Sequence, residues 1–285
     1  MKIKYLGTAA AERIPAMFCS CSVCTNAREK GGRELRTQTQ TLIDDGRLMI
    51  DFPGDSYLHQ MKYGINFNGI RNLLITHWHS DHLYAEDLAY RMKGYSQGIE
   101  QRLEVYVNAY TMKFIERAFE LEGRWDTEMF NFHIVRPYES FMIDQYEVFT
   151  LPAQHGNFKA DCFIYVIREK SGPTILWTHD TGYLTDSMFE FLTQQGFHFD
   201  FVSLDCTSQT LPGKISAHMN WRQNLALIEA LKEKHLASAK TQFVINHFSH
   251  NGGQTYAQMR EIAQREGVMV AYDGAEYEIT APQRN

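Results

Sequence analysis

Apolar positions along this chain follow two rhythms. Short unbroken runs such as Leu73-Leu74-Ile75 read as buried strands, and residues 1–7, 37–43, 47–51, 71–76, 103–107, 146–151, 163–168, 174–178, 201–205, 242–246 and 268–272 carry that signal. Asp44-Asp45-Gly46 supplies a hairpin-type turn between the second and third of them. Between the runs lie segments of helical composition or spacing: 55–64, 83–93, 109–122, 185–195 (closed by Gly196), 218–237 and 255–265. Met112, Ile115, Phe119 and Glu122 recur at helical intervals, and Trp221, Leu225, Ile228 and Leu231 form one apolar stripe. Strands that alternate with helices predict an α/β class. Trp125, Phe130, Phe132 and Tyr138 crowd the span before residue 141, where core packing is the first reading and a lid over a pocket the second.

One strand-to-helix turn interrupts this pattern with chemistry. Thr76-His77-Trp78-His79-Ser80-Asp81-His82 places three imidazoles and a carboxylate within six residues. On an extended segment His77 and His79 project to one side, because side chains repeat every two residues. Asp81 and His82 lie where the chain turns and can address a second position beside the first. Imidazole nitrogen and carboxylate oxygen are donors that zinc, manganese and iron accept. A single histidine is usually a packed or exposed residue. Four such residues in this pattern are a metal site, and the geometry admits two neighbouring ions.

The chain has 285 residues and 44% hydrophobic content, ordinary for a protein that buries a sizeable core. No apolar run approaches the roughly 18 residues needed to span a bilayer. The opening Met1-Lys2-Ile3-Lys4-Tyr5-Leu6-Gly7 reads as strand and turn, not as a secretory signal, so a cytoplasmic location is expected, without a membrane partner. A formal charge of −6 argues against a broad nucleic-acid footprint. Of five cysteines, Cys19, Cys21 and Cys24 cluster. Disulfides within so short a span are geometrically awkward, so the spacing indicates metal binding. Cys162 and Cys206 sit in apolar runs and read as buried small hydrophobes.

His77-x-His79-x-Asp81-His82 resembles the signature of the metallo-β-lactamase superfamily, mostly hydrolases with one or two metals. The resemblance implies a four-layer αββα sandwich with the metals at the edge where two sheets meet. It also implies a further histidine, an aspartate and a histidine at strand ends, which match His155, Asp180 and His247. In this assignment His77, His79 and His155 hold one metal, Asp81, His82 and His247 the other, and Asp180 bridges them. Asp51 would orient a ligand or the loop backbone, as ligand histidines usually require. His179 matches no family position. His218 is the remaining candidate for a general acid that protonates the leaving group, beside a plain helix-terminal role. Asp81 is counted with it in the catalytic set.

The cysteine triplet narrows the resemblance. With His250 as fourth ligand it is similar to the structural zinc of the cyclic phosphodiesterase family of the carbon–phosphorus lyase pathway (PhnP type). Leu6-Gly7-Thr8, Asp180-Thr181, Asp205-Cys206, the His218 region and the His247/His250 pair carry the same likeness. The expectation is one metallo-β-lactamase-like domain over residues 1–285, with a substrate-pocket insertion at about 94–140. Its two divalent active-site ions (zinc or manganese, with iron admitted) would generate hydroxide to cleave a small, cyclic or linear, phosphodiester; a third ion would be structural zinc. A homodimer is among the states left open. The rival readings are a tRNA 3′-processing-type nuclease, a pyrroloquinoline-quinone-biosynthesis-like member, and a metal-binding sensor without turnover.

Overall fold

The computed structural model describes residues 1–158, 161–213 and 216–280. Two seven-stranded sheets form its centre. The first takes β1 (Lys2–Gly7), β2 (Gln40–Ile43), β3 (Leu48–Ile50), β4 (Asn72–Leu74), β5 (Leu103–Val107) and β6 (Phe130–Ile134). The second takes β7 (Ser140–Ile143), β8 (Tyr146–Pro152), β9 (Phe163–Glu169), β10 (Thr174–Thr178), β11 (Phe201–Asp205), β12 (Gln242–Asn246) and β13 (Met269–Val270). The last strand, β14 (Glu276–Glu278), returns to the first sheet and pairs antiparallel with β1. The sheet orders are β14-β1-β2-β3-β4-β5-β6 and β13-β12-β11-β10-β9-β8-β7.

The unbroken apolar runs exist because the central strands are buried on both faces. Along β9, Phe163, Tyr165 and Ile167 enter the core between the sheets, whereas Ile164 and Val166 enter the core under the helices. Leu74 likewise faces the second sheet, and Leu73 and Ile75 face outward. Helices α3 (Ala85–Ala89) and α4 (Ala109–Glu122) cover the first sheet through Leu88, Ala89, Ile115 and Phe119. Helices α1 (Ser22–Lys30), α5 (Asp186–Gln194), α6 (Trp221–Glu233) and α7 (Tyr256–Gln264) contribute to the core on the second. Helix α2 (Ser56–Tyr63) follows β3. The layers are therefore helix, sheet, sheet, helix, as the resemblance implied. Among the described residues no helix is long and apolar enough to cross a membrane.

Polar bonds pin the sheets together beside the histidine turn. The Tyr165 hydroxyl donates to the Ile75 carbonyl at 2.7 Å, and the Phe163 amide donates to Thr76 at 3.0 Å. Both link β9 to the segment just after β4. Tyr165→Phe is expected to cost about 1–2 kcal/mol in urea unfolding, since it leaves a buried carbonyl without its donor. A cost below measurement would show that this bond does not tie the sheets.

Several element boundaries differ from the sequence reading. The helix expected over 83–93 shrinks to Ala85–Ala89 because Phe52 captures the preceding backbone: its amide donates to the His82 carbonyl, and its carbonyl accepts from the Tyr84 amide, both at 2.7 Å. The helix expected from 218 starts at Trp221, where the Asn220 side chain caps the Gln223 amide at 2.9 Å. The strand expected from 37 starts at Gln40, and that expected over 268–272 is only Met269–Val270. Strands β6, β7 and β14 and helix α1 have no counterpart among the elements expected from sequence. Cys162 and Cys206 are buried, as expected. The Phe119, Trp125, Phe130 and Phe132 rings pack on one another, which favours core packing over a lid for the last three.

Candidate metal centre

Strand ends from both sheets converge on one edge. The turn after β4 carries His77, His79, Asp81 and His82. The segments after β8, β10 and β12 carry His155, Asp180 and His247. The fold builds these ends at a conformational cost. Asp51, Asp180 and His247 have φ of 65°, 48° and 60°, in the left-handed region that costs non-glycine residues about 1–3 kcal/mol each. Such strain persists only where the surrounding structure enforces it.

Two donor groups result. In the first, His77 Nε2 lies 2.8 Å from His79 Nδ1, and His155 Nε2 lies 3.0 Å from the same atom. Asp180 Oδ2 is 3.3 Å from both His77 Nε2 and His155 Nε2. In the second, His82 Nε2 is 3.2 Å from His247 Nε2 and 3.0 Å from Asp180 Oδ2. Asp81 Oδ2 lies 3.5 Å from each of those two ring nitrogens. One oxygen, Asp180 Oδ2, thus borders both groups.

The second ring nitrogen of His77, His82 and His155 is committed elsewhere, which turns the inward lone pair toward the centre. His247 Nδ1 lies between the Thr207 hydroxyl and Asp180 Oδ1, the latter 2.9 Å away. His82 Nδ1 meets Asp51 Oδ2 at 2.7 Å, and His155 Nδ1 donates to the Ala217 carbonyl at 3.0 Å. His77 Nδ1 and His247 Nδ1 face the hydroxyls of Thr76 (3.0 Å) and Thr207 (2.8 Å). Asp51 also accepts from the Thr76 amide at 2.8 Å, so it holds both a histidine and the loop backbone.

The donor set fits divalent metal. Lone pairs that converge at 2.8–3.0 Å repel unless a proton or cation stands between them. A tetrahedral ion with 2.0–2.1 Å bonds to nitrogen would have ligand–ligand edges of roughly 3.3 Å, close to the spacing seen. Charge agrees. Burial and the neighbouring His82 push the His77 pKa well down. At His247 burial is outweighed by Asp180 and Asp81, and the pKa is pushed up to about 10, so the carboxylates demand a positive charge there that a cation would supply in place of the proton. Despite burial, Asp81 and Asp180 lie below the ordinary carboxylate range, drawn down by His82 and His247. The carboxylates are therefore ionised donors.

The remaining sequence candidates are also placed. His218 Nδ1 bonds Asp205 Oδ2 at 3.0 Å and lies 3.5 Å from Asp180 Oδ1, at the edge of the centre. Asp205 was not singled out for this role from sequence, although it ends an apolar strand as Asp180 nearly does. His179 is buried in the core, with Nε2 2.6 Å from the Ser203 hydroxyl, and joins neither donor group.

A third cluster lies apart from the cleft. Cys19, Cys21, Cys24 and His250 place one donor atom each within 4.8 Å of one another. Cys19 Sγ and Cys21 Sγ are 3.4 and 3.6 Å from His250 Nδ1. Cys21 sits at the N-terminus of α1, and burial of its thiol is outweighed by the Cys24 amide and His250, so its pKa falls to about 6. A thiolate poised near neutrality is what a zinc ligand requires.

The histidine centre forms the floor of a cleft of about 650 Å³. Trp78, Tyr84, Phe114, Arg117 and His218 stand on its walls. The Beta-lactamase superfamily domain matches residues 49–248. The chain belongs to the beta-lactamase superfamily. Solved structures share the fold of this superfamily member over nearly its whole length. A diphosphatase from the PhnP family aligns over 99% of each chain at 20% identity and a TM-score of 0.72. Zinc-bound PqqB from Methylobacterium extorquens aligns over 98% of this chain and 100% of its own, at 17% identity and 0.75. Human short-form tRNase Z aligns over 99% and 100%, at 19% and 0.67. No curated protein matches the chain. The hydrolase expectation agrees with this superfamily placement.

Proposed function

We propose that this protein is a metal-dependent hydrolase of small phosphodiesters, linear or cyclic, with two divalent ions in the cleft and a structural zinc at the cysteine cluster. The observation that carries the reading is the pair of donor groups that share Asp180 Oδ2. A PhnP-family diphosphatase and a tRNase Z among the chains of like fold support chemistry at phosphorus. His77, His79 and His155 would hold one ion, Asp81, His82 and His247 the other, with Asp180 between.

When bound, such ions lower the pKa of water and neutralise charge on phosphoryl oxygens. The chain's own residues do the rest. Asp51, Thr76, Thr207 and the Ala217 carbonyl fix the ring orientations of His82, His77, His247 and His155. His218, held through Nδ1 by Asp205, lines the cleft and is placed to give a proton to the departing oxygen. Asp81 completes the donor group without contacting that proton path.

The test compares metal-loaded wild type and His218→Ala on bis(p-nitrophenyl) phosphate, on methyl p-nitrophenyl phosphate, on a dialkyl or cyclic diester, and on p-nitrophenyl phosphate. Wild type is expected to prefer diesters over the monoester. The variant should lose about 10²-fold or more on the alkyl-leaving substrate and far less on nitrophenyl esters, whose leaving groups need no acid. Monoester preference would reject the diesterase reading. An equal loss on every diester would reject His218 as the proton donor.

A further inference from the structure

The cleft has a wall that the metal donors do not explain. Helix α4 presents Phe114, Arg117 and Ala118 to it, at intervals of three and four that place them on one helical face. Phe114 is 43% exposed. Its ring lies parallel to the Trp78 indole, with centroids 4.8 Å apart and planes at 7°. The indole is held in place: Nε1 donates to the buried Asp161 carboxylate at 2.9 Å, and the ring meets His79 at a centroid distance of 4.3 Å. A continuous run of packed rings therefore leads from the donor His79, edge-on to Trp78, to Phe114 stacked on the indole. One turn further along α4, Arg117 is exposed and has no hydrogen bond or ion pair among the described residues.

An open aromatic face beside an unengaged guanidinium recognises a particular chemistry. Stacking is indifferent to which planar ring is offered, because every base or aryl group has a π-face. Arginine adds bidentate pairing with phosphate or carboxylate. Neither group is needed to hold the cations or to supply a proton. Ala118, small and on the same face, leaves room for a ring to lie against Phe114.

We propose that this face of α4 selects the substrate: a planar ring joined to the phosphate through a short linker stacks on Phe114, and Arg117 pairs with a second anionic group of the same molecule. The chemical class is a nucleotide-like phosphodiester bearing a further phosphate. The proposal rests on the hydrolase reading above, deepening it from phosphodiester to this subclass.

The test measures binding, by calorimetric titration of the metal-loaded protein, with three probes: ribose 5-phosphate, adenosine 5′-monophosphate and adenosine 3′,5′-bisphosphate. Wild type is expected to bind the adenosine monophosphate about tenfold more tightly than ribose 5-phosphate, the difference supplied by the ring. Phe114→Leu, which keeps apolar bulk without a plane, should erase that difference, and Phe114→Tyr should keep it. The bisphosphate should bind several-fold more tightly than the monophosphate to wild type but not to Arg117→Gln. Equal binding of ribose phosphate and adenosine phosphate to wild type, an unchanged preference in Phe114→Leu, or a bisphosphate advantage that survives Arg117→Gln would overturn the proposal. Binding is read without turnover, so a protein that shows these preferences yet hydrolyses no diester would overturn the hydrolase reading alone.

Discussion

Asp180→Asn is expected to lower turnover of bis(p-nitrophenyl) phosphate by about 10³-fold or more and to release at least one active-site cation. The reason lies in a single atom. Asp180 Oδ2 is within 3.3 Å of His77 Nε2 and His155 Nε2 and within 3.0 Å of His82 Nε2, so it serves both donor groups. An amide oxygen there carries no formal charge and cannot balance two cations. Loss of several kcal/mol of charge stabilisation corresponds to roughly 10³ in rate. The substitution keeps side-chain size, and asparagine tolerates the left-handed backbone that Asp180 adopts at φ 48°, so the fold should survive. Elemental analysis beside kcat separates the two effects. A variant that retains wild-type metal content and loses less than tenfold in rate would show that Asp180 bridges nothing.

Cys24→Ser should instead strike stability. Cys24 is buried within α1, while its partners Cys19, Cys21 and His250 come from the loop before it and from the far end of the chain. A structural zinc in small domains contributes about 10–16 kcal/mol of apparent binding energy. Here three apolar cores already hold most of the chain together, so the expected loss is a fraction of that, about 3 kcal/mol or more. Urea unfolding with zinc content is the measurement, and Cys206→Ser is the control. Cys206 is equally buried but contributes to none of the donor groups, so its substitution should cost about 1–2 kcal/mol and leave the ion at the cysteine cluster in place. If Cys24→Ser keeps its zinc, or costs no more than the control, the cluster is not a structural ion site. Asp180→Asn should leave this zinc in place, so the two variants report on different ions.

The parts of this molecule legible in its sequence were those that local chemistry dictates. β9, β10, β11 and β12 are legible because both faces are buried, so each has an apolar centre such as Phe163-Ile164-Tyr165-Val166-Ile167 or Ile175-Leu176-Trp177. β14 is Glu-Tyr-Glu at a sheet edge, and β7 has exposed residues on one face, so neither had composition to show. Helix α1 is short and mostly polar, and its reason to be helical is the tertiary packing of Val23 and Ala27. His77 to His82 could be read as donors because they are neighbours in the chain. His155, Asp180, His247 and His250 needed a resemblance, since no single one differs from a polar residue in a turn. The Asp205–His218 pair and the pinning of Trp78 by Asp161 lay beyond both routes: partners 13 and 83 residues apart are set by packing alone. Spacing showed α4 to be a helix, but which of its faces would line a cleft depends on the sheet beneath it.

The position of the last ligands also has a consequence for biosynthesis. The two donor groups of the histidine centre and the cysteine cluster each contain a residue from the second sheet or beyond; the group around His82 closes only with His247, and the cysteine cluster only with His250. The β1 edge waits longer still, for residues 276–278. A nascent chain that has exposed its cysteines and the histidine turn still lacks a donor at the cysteine cluster and at the shared centre until residues 247 to 250 follow. Cation binding at the cysteine cluster and at the second donor group therefore waits for β12 to dock, and a chain cut before residue 247 would lack a donor at both.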